Sequence, residues 1–287
     1  MMVKLEHVSK KLGKFSLEDI NIELPKGYIC GLIGPNGSGK TTLLHLIMGL
    51  YKADVGEVIV QGNNFTENEA AIHDAMGVVL QERLFDNYMS LRENGSYYGR
   101  FYSKYDEEYL LELLKRFELE PNRKYARLSK GEELKFQFAF ALAHYPKLLI
   151  LDEPTGNFDP EFRDEFLTAL KEFIADGERS VILATHLTED LDRMADYIIY
   201  LENGKVLLSK DIEELRESYR LLCGEAYKIK LLPKENVIFM EQGEFGTRAL
   251  IEHRRRFVYD ESLTINYPTI EELMYFMTKG KKGRKSC

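Results

Sequence analysis

The chain has 287 residues, with 47 Asp+Glu against 39 Lys+Arg and a formal net charge of −8. That length suits one large domain or a domain plus an extension, and the acidic balance opposes bulk electrostatic binding, so no nucleic-acid partner is expected. No apolar run approaches the roughly 18 residues that span a bilayer, the start MMVKLEHVSKKLG lacks the apolar core of a signal peptide, and three scattered cysteines (Cys30, Cys223, Cys287) fit a reduced compartment without a disulfide framework.

In chain order, residues 3–8 alternate weakly and 20–24 alternate strictly, as half-buried strands do. Pro25-Lys26-Gly27 is a turn. Residues 28–33 form a nearly continuous apolar run ending at a glycine-rich loop, the pattern of a buried parallel strand. A helix is predicted over 40–50, with Leu43, Leu44, Ile47 and Met48 on one side, and a strand over 56–61. Residues 105–119 read as an amphipathic helix with Asp106 as its N-cap, and 132–144 as another, stopped by Pro146. Strands over 147–151, 181–184 and 197–201 then alternate with helices over 161–175 and 188–195. Such alternation predicts a mainly parallel sheet covered by helices, an α/β fold, with a helical lobe inserted at about 82–145. From about 222 the pattern changes. Short antiparallel strands are expected at 227–232, 237–240, 247–251 and 256–259, then a closing helix over 269–278 capped by Thr269. The basic end KGKKGRKSC is expected to be disordered. The division is therefore residues 1–221 and a small α+β extension, 222–287.

Two motifs carry chemistry. Gly34-Pro35-Asn36-Gly37-Ser38-Gly39-Lys40-Thr41-Thr42 contains G-x-x-x-x-G-K-T between an apolar strand and a helix. Successive backbone N–H groups of such a loop wrap a phosphate, and the helix aims its positive end there. Lys40 is placed for β- and γ-phosphates and the Thr41 hydroxyl for Mg²⁺. The second motif is an apolar strand ending in Asp152-Glu153-Pro154. Asp152 suits Mg²⁺, and Glu153 suits a base acting on water.

With these residues the chain resembles the ATP-binding cassette (ABC) ATPases from about residue 2 to 210. Gln81 matches the family's Q-loop glutamine, which senses Mg²⁺ and couples to the partner. Leu128-Ser129-Lys130-Gly131-Glu132 stands where the family writes LSGGQ, so Lys130 replaces a glycine and Glu132 a glutamine. Asp159 matches the D-loop aspartate, and His186 the switch histidine that contacts the γ-phosphate. The resemblance implies a P-loop NTPase cassette with an antiparallel β edge. It also implies ATP and Mg²⁺ as ligands, with Mg²⁺ held by Thr41, Gln81 and Asp152. Catalysis falls to Glu153, His186 and Gln81, while Ser129, Lys130, Gly131 and Glu132 face the nucleotide of a second subunit. Leu12 stands where the family places an adenine-stacking tyrosine, and Phe15, 25 positions before Lys40, fits either that role or the core.

The family pairs two cassettes head to tail on a membrane-spanning subunit that must here be a separate chain. The expected place is therefore the cytoplasmic face of the membrane. LSKG-type signatures resemble a bacterial subgroup associated with peptide export and resistance, so export is expected. An importer subunit is the alternative, as is a soluble cassette of translation or DNA repair. Against the soluble classes stand the single P-loop and the 112 residues, free of coiled coil, between Lys40 and Asp152. Aromatics at Tyr97, Tyr98, Phe101, Tyr102 and Tyr105, or the stretch 81–88, fit core positions or the groove for a coupling helix. Arg254, Arg255 and Arg256 fit a solvated strand edge or a lipid-phosphate contact.

Overall fold

The computed structural model describes residues 1–243, 246–253 and 259–285. They divide into two compact units: Met1–Leu187 with Tyr197–Ser209, and Thr188–Asp196 with the chain from Lys210 onward.

The first unit opens with the hairpin β1 (Val3–Leu12) and β2 (Phe15–Leu24), then β3 (Ile29–Ile33), α1 (Lys40–Ile47), β4 (Val55–Val60), β5 (Asn63–Asn64), α2 (Phe65–Asp74) and β6 (Met76–Val79). The helical lobe holds α3 (Leu91–Gly99), α4 (Glu107–Arg116) and α5 (Lys130–Ala143). After it come β7 (Leu148–Asp152), α6 (Pro160–Ile174) and β8 (Ser180–Ala184). The chain then enters the second unit for α7 (Thr188–Met194), returns for β9 (Tyr197–Glu202), and leaves again within β10 (Lys205–Asp211). The second unit continues with α8 (Ile212–Ser218), β11 (Tyr219–Gly224), α9 (Ala226–Ile229), β12 (Val237–Gly243), β13 (Gly246–Glu252), β14 (Thr264–Asn266) and α10 (Ile270–Lys285).

Hydropathy pattern decides which sheet each strand joins. Apolar runs without alternation become β3, β7 and β8, buried at every residue. They lie in a six-stranded sheet of order β10-β9-β3-β8-β7-β6, in which β3–β8, β3–β9, β7–β8 and β6–β7 run parallel. The alternating strands β1 and β2 build the antiparallel sheet β2-β1-β4-β5. Strands buried on both faces suit the first sheet, and one-sided burial suits the second. Cys30 is a buried core residue of β3, and burial pushes its thiol pKa up.

In the lobe, Asp106 caps α4 by accepting the Tyr109 N–H, as its sequence position predicts. α5 is apolar on most sides because it crosses the lobe's interior. Phe85 is its anchor, packing edge-on against Phe136 at 4.7 Å and Phe140 at 5.0 Å. Tyr98, Tyr102 and Tyr105 join this aromatic core, with Tyr102 stacked on His144 at 3.9 Å. Tyr97, Phe101 and Tyr88 are exposed.

The second unit contains the four-stranded antiparallel sheet β12-β13-β11-β14. The expected boundary at 221 falls inside β11. Residues 227–232 are not a strand: α9 and a turn occupy them. Their alternation misleads because Ile229 is buried while Tyr227 and Leu231 face solvent, so no period-2 face forms. The 40–50 helix ends at Ile47, before Gly49 at φ 74°. Thr269 caps the last helix with Glu272 in a reciprocal pair at 3.2 and 3.0 Å. That helix continues to Lys285, so most of the basic end is helical rather than disordered. The Arg254–Arg256 cluster and most of the expected 256–259 strand lie outside the described residues. No helix among the described residues is long and apolar enough to cross a membrane.

Candidate active site

In an open sheet with parallel strands, the carboxyl ends of those strands gather at one edge, where ligands bind. Three neighbouring strands deliver the motifs there. β3 runs into the glycine-rich loop, β7 ends at Asp152, and β8 leads through Thr185 to His186.

The loop's glycines are required by its geometry. Gly34 has φ 154°, and a Cβ there would lie 2.1 Å from the Leu201 carbonyl oxygen. Gly39 has φ 110°, and a Cβ would strike the Phe15 ring at 2.6 Å. Phe15 thus sits between the core and the phosphate loop. Pro35, Asn36 and Gly37 are exposed at the loop's crest, whereas Ser38 and Lys40 are buried. Lys40 Nζ donates to Gly34 O at 2.9 Å and lies 3.9 Å from Glu153 Oε1. The Ser38 hydroxyl is buried without a hydrogen-bond partner. A buried orphan hydroxyl is uncommon and costly. Beside the buried Lys40 ammonium it fits a phosphate oxygen.

Thr41 Oγ1 donates to Asp152 Oδ2 at 3.1 Å, with Thr42 next on α1. Burial raises the Asp152 pKa, the Thr41 bond lowers it, and the neighbouring Glu153 charge raises it further. A hydroxyl beside a buried carboxylate is a hard-oxygen donor pair of the type Mg²⁺ takes together with phosphate oxygens. Among the described residues, no group of three His, Cys, Asp or Glu side chains could hold a metal without other ligands.

Glu153 has left-handed backbone angles, φ 53° and ψ 39°, a conformation that costs a non-glycine residue on the order of 1 kcal/mol and recurs at functional sites. Its N–H donates to Ala184 O at 2.8 Å, and Gln81 Nε2 donates to its carbonyl at 2.7 Å. Gln81 Nε2 also reaches Asp152 O at 3.5 Å. The exposed His186 ring meets Glu153 Oε2 through Nδ1. A carboxylate partner selects the tautomer with hydrogen on Nδ1 and leaves Nε2 outward.

The expected signature residues form the N-terminus of α5. Ser129 and Glu132 make a capping box, with the Glu132 side chain accepting from Ser129 N at 2.8 Å and pairing with Arg123. Glu132 is therefore committed to its own helix end. The Ser129 hydroxyl accepts the Glu132 N–H at 3.3 Å and keeps its own hydrogen for donation. A Cβ on Gly131 would lie 2.7 Å from Asn157 O, so only glycine fits against the 3-10 turn Pro154–Asn157. Lys130 does not project freely: its Nζ donates to the Gln81 carbonyl. Asp159 caps α6 through Phe162 N at 2.8 Å and lies 3.5 Å from Lys135, and the Phe162 bond holds its carboxyl below the usual range. Among the other histidines, His73 bonds Met48 O at 2.9 Å, while His144 contacts the carbonyls of Phe140 and Met76, both at 3.1 Å. Sequence reading missed Lys130's partner and Gln137, the buried side chain that brackets Gln81; neither carries a local pattern.

The ABC transporter family model matches residues 17–156. YtrB of Bacillus subtilis (strain 168), an ABC transporter ATP-binding protein, is 32% identical over 219 residues, 76% of this chain and 75% of the relative. CysA of Synechocystis sp., a sulfate/thiosulfate import ATP-binding protein, is 32% identical over 248 residues, 83% and 69% of the two chains. The Nod factor export ATP-binding protein I of Rhizobium leguminosarum bv. viciae is 34% identical over 252 residues, 83% and 80%. The fold is similar to the dimeric post-hydrolysis structure of the ATP-binding cassette MJ0796 bound to ADP and Pi, with TM-score 0.67, 28% identity, and coverage of 74% of this chain and 99% of that one. Strand order, phosphate loop and relatives agree: this chain belongs to the ABC transporter family and is an ATPase with the P-loop cassette fold.

Proposed function

We propose that the chain is the ATP-hydrolysing subunit of a membrane exporter, with peptides or similar toxic compounds as cargo. In this reading two cassettes pair head to tail, as two copies or with a related chain. They drive a separate membrane-spanning subunit from the cytoplasmic face. The observation that carries the ATPase assignment is the convergence of Lys40, Thr41, Asp152, Glu153, Gln81 and His186 at one sheet edge.

Each side chain then has a task. The backbone of residues 34–39, with the Ser38 hydroxyl and Lys40, binds the phosphates, and Thr41 and Thr42 open the helix beneath them. Thr41, Asp152 and Gln81 would hold Mg²⁺, which would supply neutralisation of phosphate charge. Glu153 orients water and takes its proton. His186, fixed through Nδ1, offers Nε2 to the γ-phosphate. Phe15 stacks on adenine beside the loop. Ser129 donates its hydroxyl hydrogen and Gly131 its N–H to the second subunit's nucleotide, and Asp159 supports that junction. Lys130 and Glu132 shape this end of α5. The exposed Tyr88, Tyr97 and Phe101 suit the groove for the membrane subunit's coupling helix.

Export rests on the LSKG-type signature and on likeness to the Nod factor export protein. Import is the second reading, favoured by a similar likeness to CysA. Co-purification with a membrane-spanning chain in detergent, then transport by inside-out vesicles, separates them. ATP-driven uptake of labelled peptide supports export. Transport only in right-side-out vesicles overturns it.

A further inference from the structure

α5 carries a polar stripe at Lys130, Glu133 and Gln137, spaced three and four so that all lie on one helix face. All three meet the same short stretch of chain. Gln137 Oε1 accepts the Leu80 N–H, and its Nε2 donates to Glu82 O, both at 2.8 Å. Lys130 Nζ donates to Gln81 O and lies 3.6 Å from the Glu133 carboxylate. Glu133, 1% exposed, also pairs with Arg83. Residues 80, 81, 82 and 83 are each bound by α5, while the Gln81 side chain bonds the Glu153 carbonyl at 2.7 Å.

The stripe is not explained by helix stability. A cation in a first helical turn opposes the helix dipole, yet Lys130 occupies that place. A buried carboxylate needs compensating charge, which Glu133 finds in Arg83 and Lys130. Gln137, also 1% exposed, is satisfied at both ends of its amide by backbone groups flanking Gln81.

We propose that Lys130, Glu133 and Gln137 are positioning residues: by holding the backbone of residues 80–83 to α5 they set the Gln81 side chain against Glu153. This rests on the catalytic reading of Gln81 and Glu153.

The test combines hydrogen exchange of residues 78–84 with steady-state ATP turnover, using the full chain. Variants are Gln137→Leu, Lys130→Met, Lys130→Arg and, as control, Gln81→Ala. Loss of one hydrogen bond of ordinary net strength makes exchange about five- to tenfold faster, and this is expected across 80–83 in Gln137→Leu and Lys130→Met. Lys130→Met is expected to lower kcat about tenfold with KM for ATP held within about twofold, because misplacement rather than binding is at fault. Lys130→Arg, which keeps the donor, restores both readouts. Thermal melting identifies any variant that fails to fold, and Lys130→Met, at a partly exposed position, carries the test if Gln137→Leu does. Unchanged exchange in the folded variants overturns the proposal. Unchanged turnover in Gln81→Ala overturns the reading of Gln81 instead, and the exchange data then judge the coupling separately.

Discussion

Glu153 and His186, 33 residues apart, share a hydrogen bond between Nδ1 and Oε2. The carboxylate is thereby aimed by a ring on the neighbouring strand's loop, and its backbone is clamped at both N–H and carbonyl.

Replacing Glu153 with Gln keeps the shape and removes the base. Turnover should fall at least about 100-fold, while ATP binding persists and an ATP-dependent dimer accumulates on size-exclusion chromatography. Wild-type turnover in the presence of the membrane partner would falsify the assignment.

Thr41→Val removes the hydroxyl that meets Asp152 at 3.1 Å while leaving the helix start intact. The Mg²⁺ concentration for half-maximal turnover should rise about tenfold or more, as loss of a metal-side contact does. A magnesium titration at saturating ATP reads this directly, and an unshifted midpoint would place the cation elsewhere.

Phe15 touches both core and phosphate loop. Phe15→Tyr should bind ATP normally, whereas Phe15→Ala should lose stacking worth roughly 1–3 kcal/mol along with some thermal stability. Inorganic triphosphate distinguishes the causes. Its affinity should change little in a folded Phe15→Ala protein, and an equal loss for both ligands would return Phe15 to the core alone.

The Ser90–Glu93 capping box gives a pH signature. The Ser90 backbone N–H, then its hydroxyl and Lys124, pull the Glu93 pKa to about 2. A carboxyl depressed in the folded state contributes stability above its unfolded value near 4.5, and loses it as pH falls toward 2. Urea midpoints of Glu93→Gln should therefore lie below wild type at pH 6 and converge with it across that window. A constant gap would show that the ionised cap contributes nothing.

What could be read beforehand was local. Residues 34–42 are legible because strand, loop and helix are contiguous, and Asp106 and Thr269 because a cap is a short-range bond. The order of Gln81, Ser129, Asp159 and His186 is legible only through resemblance. Lys130 reaches a carbonyl 49 residues away, and Glu132's turn to Arg123 depends on how the helix end is seated. In 227–232 periodicity misled, because four helical residues and four strand residues bury similar patterns and the packing partner decides.

The second unit uses two separated stretches of chain. Buried Leu191 lies on α7, and Asp192 accepts the first helical N–H of α10 at 3.0 Å. α7 begins two residues after His186. The C-terminal region is consequently not a detachable appendage. A protease cut or a stop codon after Ser209 would strip packing from the helix that follows His186, and damage far along the gene would register as a fault in ATP turnover.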